Sequence, residues 1–149
     1  MNLRDFLTVV ITTHVLPSAP SSEIIERTIS SIRNNFIGIS DCKFMIYCDS
    51  KVNHPDYSSY LENLNKIENV IIVDRPHDGI PYTGLQNNYI EAVAGSSTPF
   101  AFVCEHDWTF VREVDTPKLI KAMIKYNFIN LKMTGFTWQN RSDRVLRAW

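Results

Sequence analysis

Alternating strand-like and helix-like periods predict an α/β fold, a mainly parallel twisted sheet flanked by helices. Three observations carry this. The apolar runs FLTVVITT, KFMIYC, NVIIVD and FAFVC lack strict polar alternation, as strands covered on both faces do. The segments between them place apolar residues three and four apart, the spacing of a helix with one buried side. Each strand-like run also ends in polar or charged residues.

Taken in order, residues 6–13 form the first expected strand, and the loop VLPSAPSS leads to a helix over about residues 22–36. Ser22 is its expected cap, Glu23 and Glu26 suit its positive end, and Ile25, Ile29, Ile32 and Phe36 make its apolar stripe. Residues 43–48 are the second strand, ending at Asp49-Ser50. Pro55 suits the first turn of the next helix, which would bury Tyr57, Tyr60, Leu61, Leu64 and Ile67. Residues 69–74 are the third strand, and RPHDGIPYTG, rich in Pro and Gly, is a loop. A helix over about 84–94 should turn Leu85, Tyr89, Ala92 and Val93 inward and stop at Gly95. Residues 100–104 are the fourth strand. Thr116-Pro117 opens a helix with Leu119, Ile120 and Met123 inward, and residues 128–134 alternate like a strand with one wet face.

A length of 149 residues fits one domain, 1–149, and a 44% apolar share supplies a core. With 15 Lys and Arg against 16 Asp and Glu, no positive excess asks for nucleic acid or an anionic membrane. Cys42, Cys48 and Cys104 are odd in number and form no CxxC pair, so buried free thiols in a reducing compartment are expected. The N-terminal apolar run is too short for a transmembrane segment and lacks a signal peptide's cleavage pattern. The expectation is a cytoplasmic protein, with attachment to a membrane through a partner left open.

Ligands of open α/β sheets sit beyond the carboxyl ends of the strands. Here those ends are Thr12-Thr13-His14, Asp49-Ser50, Asp74-Arg75 and Glu105-His106-Asp107. If the chain stays extended through Asp107, the carboxylates of Glu105 and Asp107 point the same way and repel unless a cation joins them. Hard oxygen ligands of this kind suit Mg²⁺ or Mn²⁺, which also takes phosphate oxygens and stabilises a departing diphosphate. The same pair would equally serve to end a strand and cap a turn.

The stretch GLQNNYIEAVAGSSTPFAFVCEHDW resembles the region of GT-A fold glycosyltransferases that runs into their DxD motif. Gly84 and Asn88 match the early glycine and the asparagine of the preceding helix, Ala94-Gly95 its small-residue end, and Glu105-His106-Asp107 the acidic motif. LTVVITTH and MIYCDS look like the family's first and second strands. The resemblance implies a Rossmann-like, nucleotide-sugar-binding half of such an enzyme. Its partners would be a UDP- or GDP-linked sugar donor and a glycan, lipid or protein acceptor. By position, Thr12, Thr13 and His14 would line the nucleotide pocket, Asp49 would contact base or ribose, and Arg75 would lie near the base. Asp107 would hold the divalent metal, with Glu105 near the ribose or the ion. Glu105 replaces the usual first Asp, and His14-Val15 stands where many relatives carry an aromatic residue followed by Asn. GT-A domains usually continue into an acceptor-binding half that supplies the catalytic base of inverting members, so a chain truncated before that half is expected, and no base is assigned.

Other residues invite functional roles beside plainer ones. None of His14, His54, His77 and His106 has HxxxH or HxH spacing. His106 is expected to face away from the acids and Trp108 to pack. Tyr82 and Gln86 are donor contacts if the Pro/Gly loop is a lid and not a plain turn, and Arg141, Arg144 and Arg147 on one helical face would bind diphosphate or acceptor or else form a solvated face or a frayed end. A nucleotidyltransferase would carry a glycine-rich basic signature after the first strand, which VLPSAPSS is not. A catalytically silent nucleotide-binding or assembly module and a flavodoxin-like binding domain complete the alternatives.

Overall fold

The computed structural model describes residues 1–15, 21–51, 54–77 and 90–128, together with the backbone of 131–132 and 147–148. Four strands, β1 (Leu7–His14), β2 (Lys43–Lys51), β3 (Val70–His77) and β4 (Phe100–Glu105), form one all-parallel sheet in the order β3-β2-β1-β4. The α/β class read from the apolar runs is therefore the one observed. Strand β1 lies inside the sheet, and Leu7 to Thr13 are all buried. A strand paired on both edges and covered on both faces has no use for polar alternation, which is why its sequence shows none.

One face of the sheet carries Val9, Ile11, Phe44, Ile46, Cys48 and Cys104. Packed on it are α1 (Glu23–Asn35), α2 (Tyr57–Leu64) and α3 (Thr116–Tyr126). The stripe Ile25, Ile29, Ile32 and Phe36 is buried as its spacing requires, as are Tyr60, Leu64 and Ile120, while Tyr57, Leu61, Ile67 and Met123 pack at the margin. The opposite face carries Val10, Met45 and Tyr47 and is met by Ala92, from the helical residues 90–94. Gly95 ends that segment against Tyr47: a Cβ there would lie 3.1 Å from the Tyr47 hydroxyl and 2.9 Å from the Glu91 carbonyl oxygen.

Several local expectations are corrected. Ser22 occupies the N-cap position of α1, but its hydroxyl donates to Glu26 Oε1 (2.5 Å) and accepts no hydrogen bond from a backbone N–H of the first turn. Thr116-Pro117 opens α3 as expected, and Asp115 before it supplies the cap, accepting from the Lys118 N–H at 3.0 Å. Val93 is 57% exposed, because Ala92 is the side chain that the helical turn presents to the sheet. Of the strand expected over 128–134, Leu131–Lys132 is extended and pairs with Arg147–Ala148 in a two-stranded sheet, while 129–130 and 133–134 lie outside the described residues. Asn127 takes a left-handed conformation (φ 53°), and the Phe128 N–H donates to the Met123 carbonyl at 2.9 Å, so Phe128 closes α3. Leu85, Tyr89, Tyr82, Gln86, Arg141 and Arg144 lie outside the described residues, and Arg147 is extended, not helical. Among the described residues no helix is long and apolar enough to cross a membrane.

Ile46 sits in register between Ile11 and Ile72 and is fully buried. Ile46→Ala removes packing from the centre of the sheet, and denaturant unfolding should show a loss of about 2–5 kcal/mol.

Candidate functional site at the β1–β4 carboxyl edge

The order β3-β2-β1-β4 places a switch in direction at β1: the chain leaves β1 toward β2 and β3, then returns to the other side as β4. Helices α1 and α2 follow the first two connections on one face, while the connection into β4 lays residues 90–94 on the other. A switch point of this kind, here between the carboxyl ends of β1 and β4, is the usual ligand position in such sheets.

Register sorts the expected site residues between the two faces. Thr12 pairs with Glu105 and Tyr47, His14 with Asp49, and Asp49 with Arg75, so Thr12, His14, Asp49, Arg75 and Glu105 share the face opposite α1 and α2. Thr12 is buried, and its hydroxyl has no hydrogen-bond partner among the described residues. Glu105 is half-buried, Asp49 partly buried and His14 exposed. Arg75 is committed to an ion pair with Glu91 (2.6 Å), with about half of each side chain in water. An exposed pair of this kind adds little stability, but it aims the guanidinium at the helical segment. Thr13 belongs to the other face: it is buried, with its hydroxyl 2.5 Å from the Tyr60 hydroxyl under α2. Burial pushes the Tyr60 phenol up to about 12, so it remains protonated in this contact. Gly84 and Asn88 lie outside the described residues.

The extended geometry expected through Asp107 stops at Glu105. Residues 106–107 form a turn, with the Trp108 N–H 3.4 Å from the Glu105 carbonyl. His106 still extends the ladder by one bond, donating its N–H to the Thr12 carbonyl at 3.0 Å. Its ring is buried and meets the His14 ring edge-on at 5.0 Å, while Asp107 is exposed. Burial, reinforced by His14, lowers the His106 pKa, against the opposing pull of Asp107 and of a bond to the Thr12 carbonyl. The imidazole is therefore neutral near pH 7. Trp108 packs beside Phe110 at the margin of the core, as expected. Burial also raises all three free thiols, Cys42 to about 11, Cys48 to about 12 and Cys104 higher still, and so leaves them unreactive.

Among the described residues, no three His, Cys, Asp or Glu side chains gather into a cluster able to enclose a metal ion. An ion held at Asp107 would need oxygens from a bound ligand and water to fill its shell, the mode that Mg²⁺ commonly adopts. Sequence reading overlooked a polar stripe on α1 (Thr28, Ser31 and Asn35) that contacts the segment leaving β4. Its spacing beside the apolar stripe was the available signal.

No family model and no curated protein sequence matches the chain. Among solved structures it is similar to TarS of S. aureus, a glycosyltransferase, with a TM-score of 0.51 and 14% identity. That match covers 91% of this chain and 23% of TarS, so the chain spans about a quarter of the neighbour's length. The likeness is one of fold: the chain has a glycosyltransferase-like α/β architecture.

The folded state holds His106 neutral more firmly than the unfolded chain does, so the unfolded state takes up more protons below the ordinary histidine pKa of about 6.5. Stability from this group is present above that pH and is lost as pH falls from there toward the lowered folded value. Between about pH 7.5 and 5.5 the denaturant midpoint should therefore drop further in the parent than in His106→Gln. Equal drops would remove His106 as the source.

Proposed function

We propose that this chain is the donor-binding part of a metal-dependent glycosyltransferase, binding a nucleotide-diphosphate sugar and passing the sugar to an acceptor. One observation carries the reading: the topological switch of a glycosyltransferase-like sheet coincides with Thr12 and Glu105 side by side and Asp107 one turn beyond. Asp107, being exposed, is the group placed to share a divalent ion, Mn²⁺ or Mg²⁺, with the donor's diphosphate. Glu105 and the Thr12 hydroxyl would accept and donate hydrogen bonds at the ribose, and Asp49 and His14 would meet the base. In the transfer, the bond from the anomeric carbon to diphosphate breaks as the acceptor oxygen bonds to that carbon. The ion, when bound, stabilises the negative charge left on the diphosphate. The groups that bind the acceptor and take its proton would come from outside this donor site.

Calorimetric titration of UDP and of GDP, each with and without Mn²⁺, tests this on the parent and on Asp107→Ala. The expected result is metal-dependent binding of one nucleotide, weakened by about tenfold or more in the variant, equivalent to roughly 1.4 kcal/mol. Failure of both nucleotides to bind in Mn²⁺ would remove the donor site from this chain.

A further inference from the structure

The segment that leaves β4, residues 106–114, carries no helix and makes only an isolated strand-like bridge, Phe36 with Val114. Its backbone groups need other partners, and α1 supplies them. The Thr28 hydroxyl donates to the His106 carbonyl oxygen. Thr28 is buried in mid-helix, where such a hydroxyl ordinarily turns back to the carbonyl four residues earlier; that oxygen, on Ile24, lies 3.3 Å away, farther than His106. One turn on, the Ser31 hydroxyl donates to the Thr28 carbonyl (2.8 Å) and accepts from the Phe110 N–H (3.1 Å). A further turn on, Asn35 Nδ2 donates to the Ser31 carbonyl (2.9 Å) and to the Phe110 carbonyl (2.8 Å). Both backbone groups of Phe110 are thus satisfied by side chains of one helix. The main chain continues the seam, with the Val114 N–H donating to the Asn35 carbonyl (2.7 Å) and the Ile37 N–H to the Val114 carbonyl (3.0 Å). From Thr28 to Asn35 the helix rises roughly 10 Å, so the contacts run along its length and are not confined to one point.

We propose that this stripe sets the geometry of the acidic turn, with Thr28 as a positioning residue for Asp107 acting through the His106 carbonyl. Ser31 and Asn35 fix the far end of the segment at Phe110. Asp107 then lies between a ladder bond to β1 on one side and two anchors to α1 on the other, so an exposed carboxylate is carried on a backbone that is not free to drift. A small displacement of a ligand-orienting group is costly to a reaction that depends on alignment. The consequence for ligand affinity rests on the donor-site reading above; the geometric claim does not.

Thr28→Val keeps the shape and removes the hydroxyl, Thr28→Ser restores it, and Ser31→Ala cuts the second anchor should the first variant fold poorly. In Thr28→Val, amide hydrogen exchange at His106, Trp108 and Phe110 should quicken by about fivefold to tenfold while β1 and β2 stay protected, and Thr28→Ser should return close to the parent. UDP affinity in Mn²⁺ should fall with Thr28→Val and recover with Thr28→Ser. Unchanged exchange at these amides in both Thr28→Val and Ser31→Ala, or an equal rise across the whole sheet, would overturn the proposal. Faster local exchange with undiminished UDP affinity would overturn the link to Asp107. If the parent itself binds no nucleotide, the donor-site reading fails, and the exchange measurement alone decides whether α1 sets the turn.

Discussion

The two-sided burial and pairing of β1 is the constraint on which the other features depend. Its backbone is bonded in parallel to β2 on one edge and β4 on the other, and seven consecutive side chains are buried. A strand so enclosed fixes the register of both neighbours, because a slip by one residue would exchange the two faces of the sheet. That register brings Glu105 level with Thr12 and leaves the carboxyl ends of β1 and β4 as the place where the chain direction switches. It also sends α1 and α2 to one face, so that α1 lies alongside the segment leaving β4 and can bind it.

Electrostatics at this edge follows from the same enclosure. The His106 ring is buried against His14 and remains uncharged, while Asp107, one residue later, stands in water. The turn thereby separates a structural residue from a chemically available one. Arg75 sits at the same sheet level but is already paired with Glu91, so its charge serves first to join β3 to the helical segment over the opposite face.

The sheet was largely legible in the sequence because burial on both faces writes long apolar runs, and the strands are observed where those runs fall. The gathering of polar groups at the carboxyl ends of the strands was legible too, and Thr12, Asp49 and Glu105 stand there. Which face each residue takes was not legible. Thr13 reads like Thr12 in one dimension, yet alternation turns it under α2 to Tyr60. The turn after Glu105 was hidden too, because it depends on the Thr28 hydroxyl, distant in sequence, binding the His106 carbonyl. Gly84 and Asn88, singled out by resemblance alone, lie outside the described residues, and of the strand expected at 128–134 Leu131–Lys132 is extended while Phe128 closes α3 after the left-handed cap at Asn127.

The carboxyl ends of β1 and β4 carry Thr12 and Glu105, and α1 is hydrogen-bonded to the segment that follows β4. TarS shares the α/β architecture of this chain over 23% of its own length. The account stands on where a ligand-bound cation would sit. Amide spectra recorded while Mn²⁺ is added in the presence of UDP locate it directly, since paramagnetic broadening falls steeply with distance. The account predicts loss of signal first at Thr12 to His14 and at Glu105 to Trp108, with the amino ends of the strands, Leu7, Lys43, Val70 and Phe100, retained. Broadening centred elsewhere, such as the groove between α1 and the turn after α2 around Glu26, Arg33 and Lys66, would contradict it.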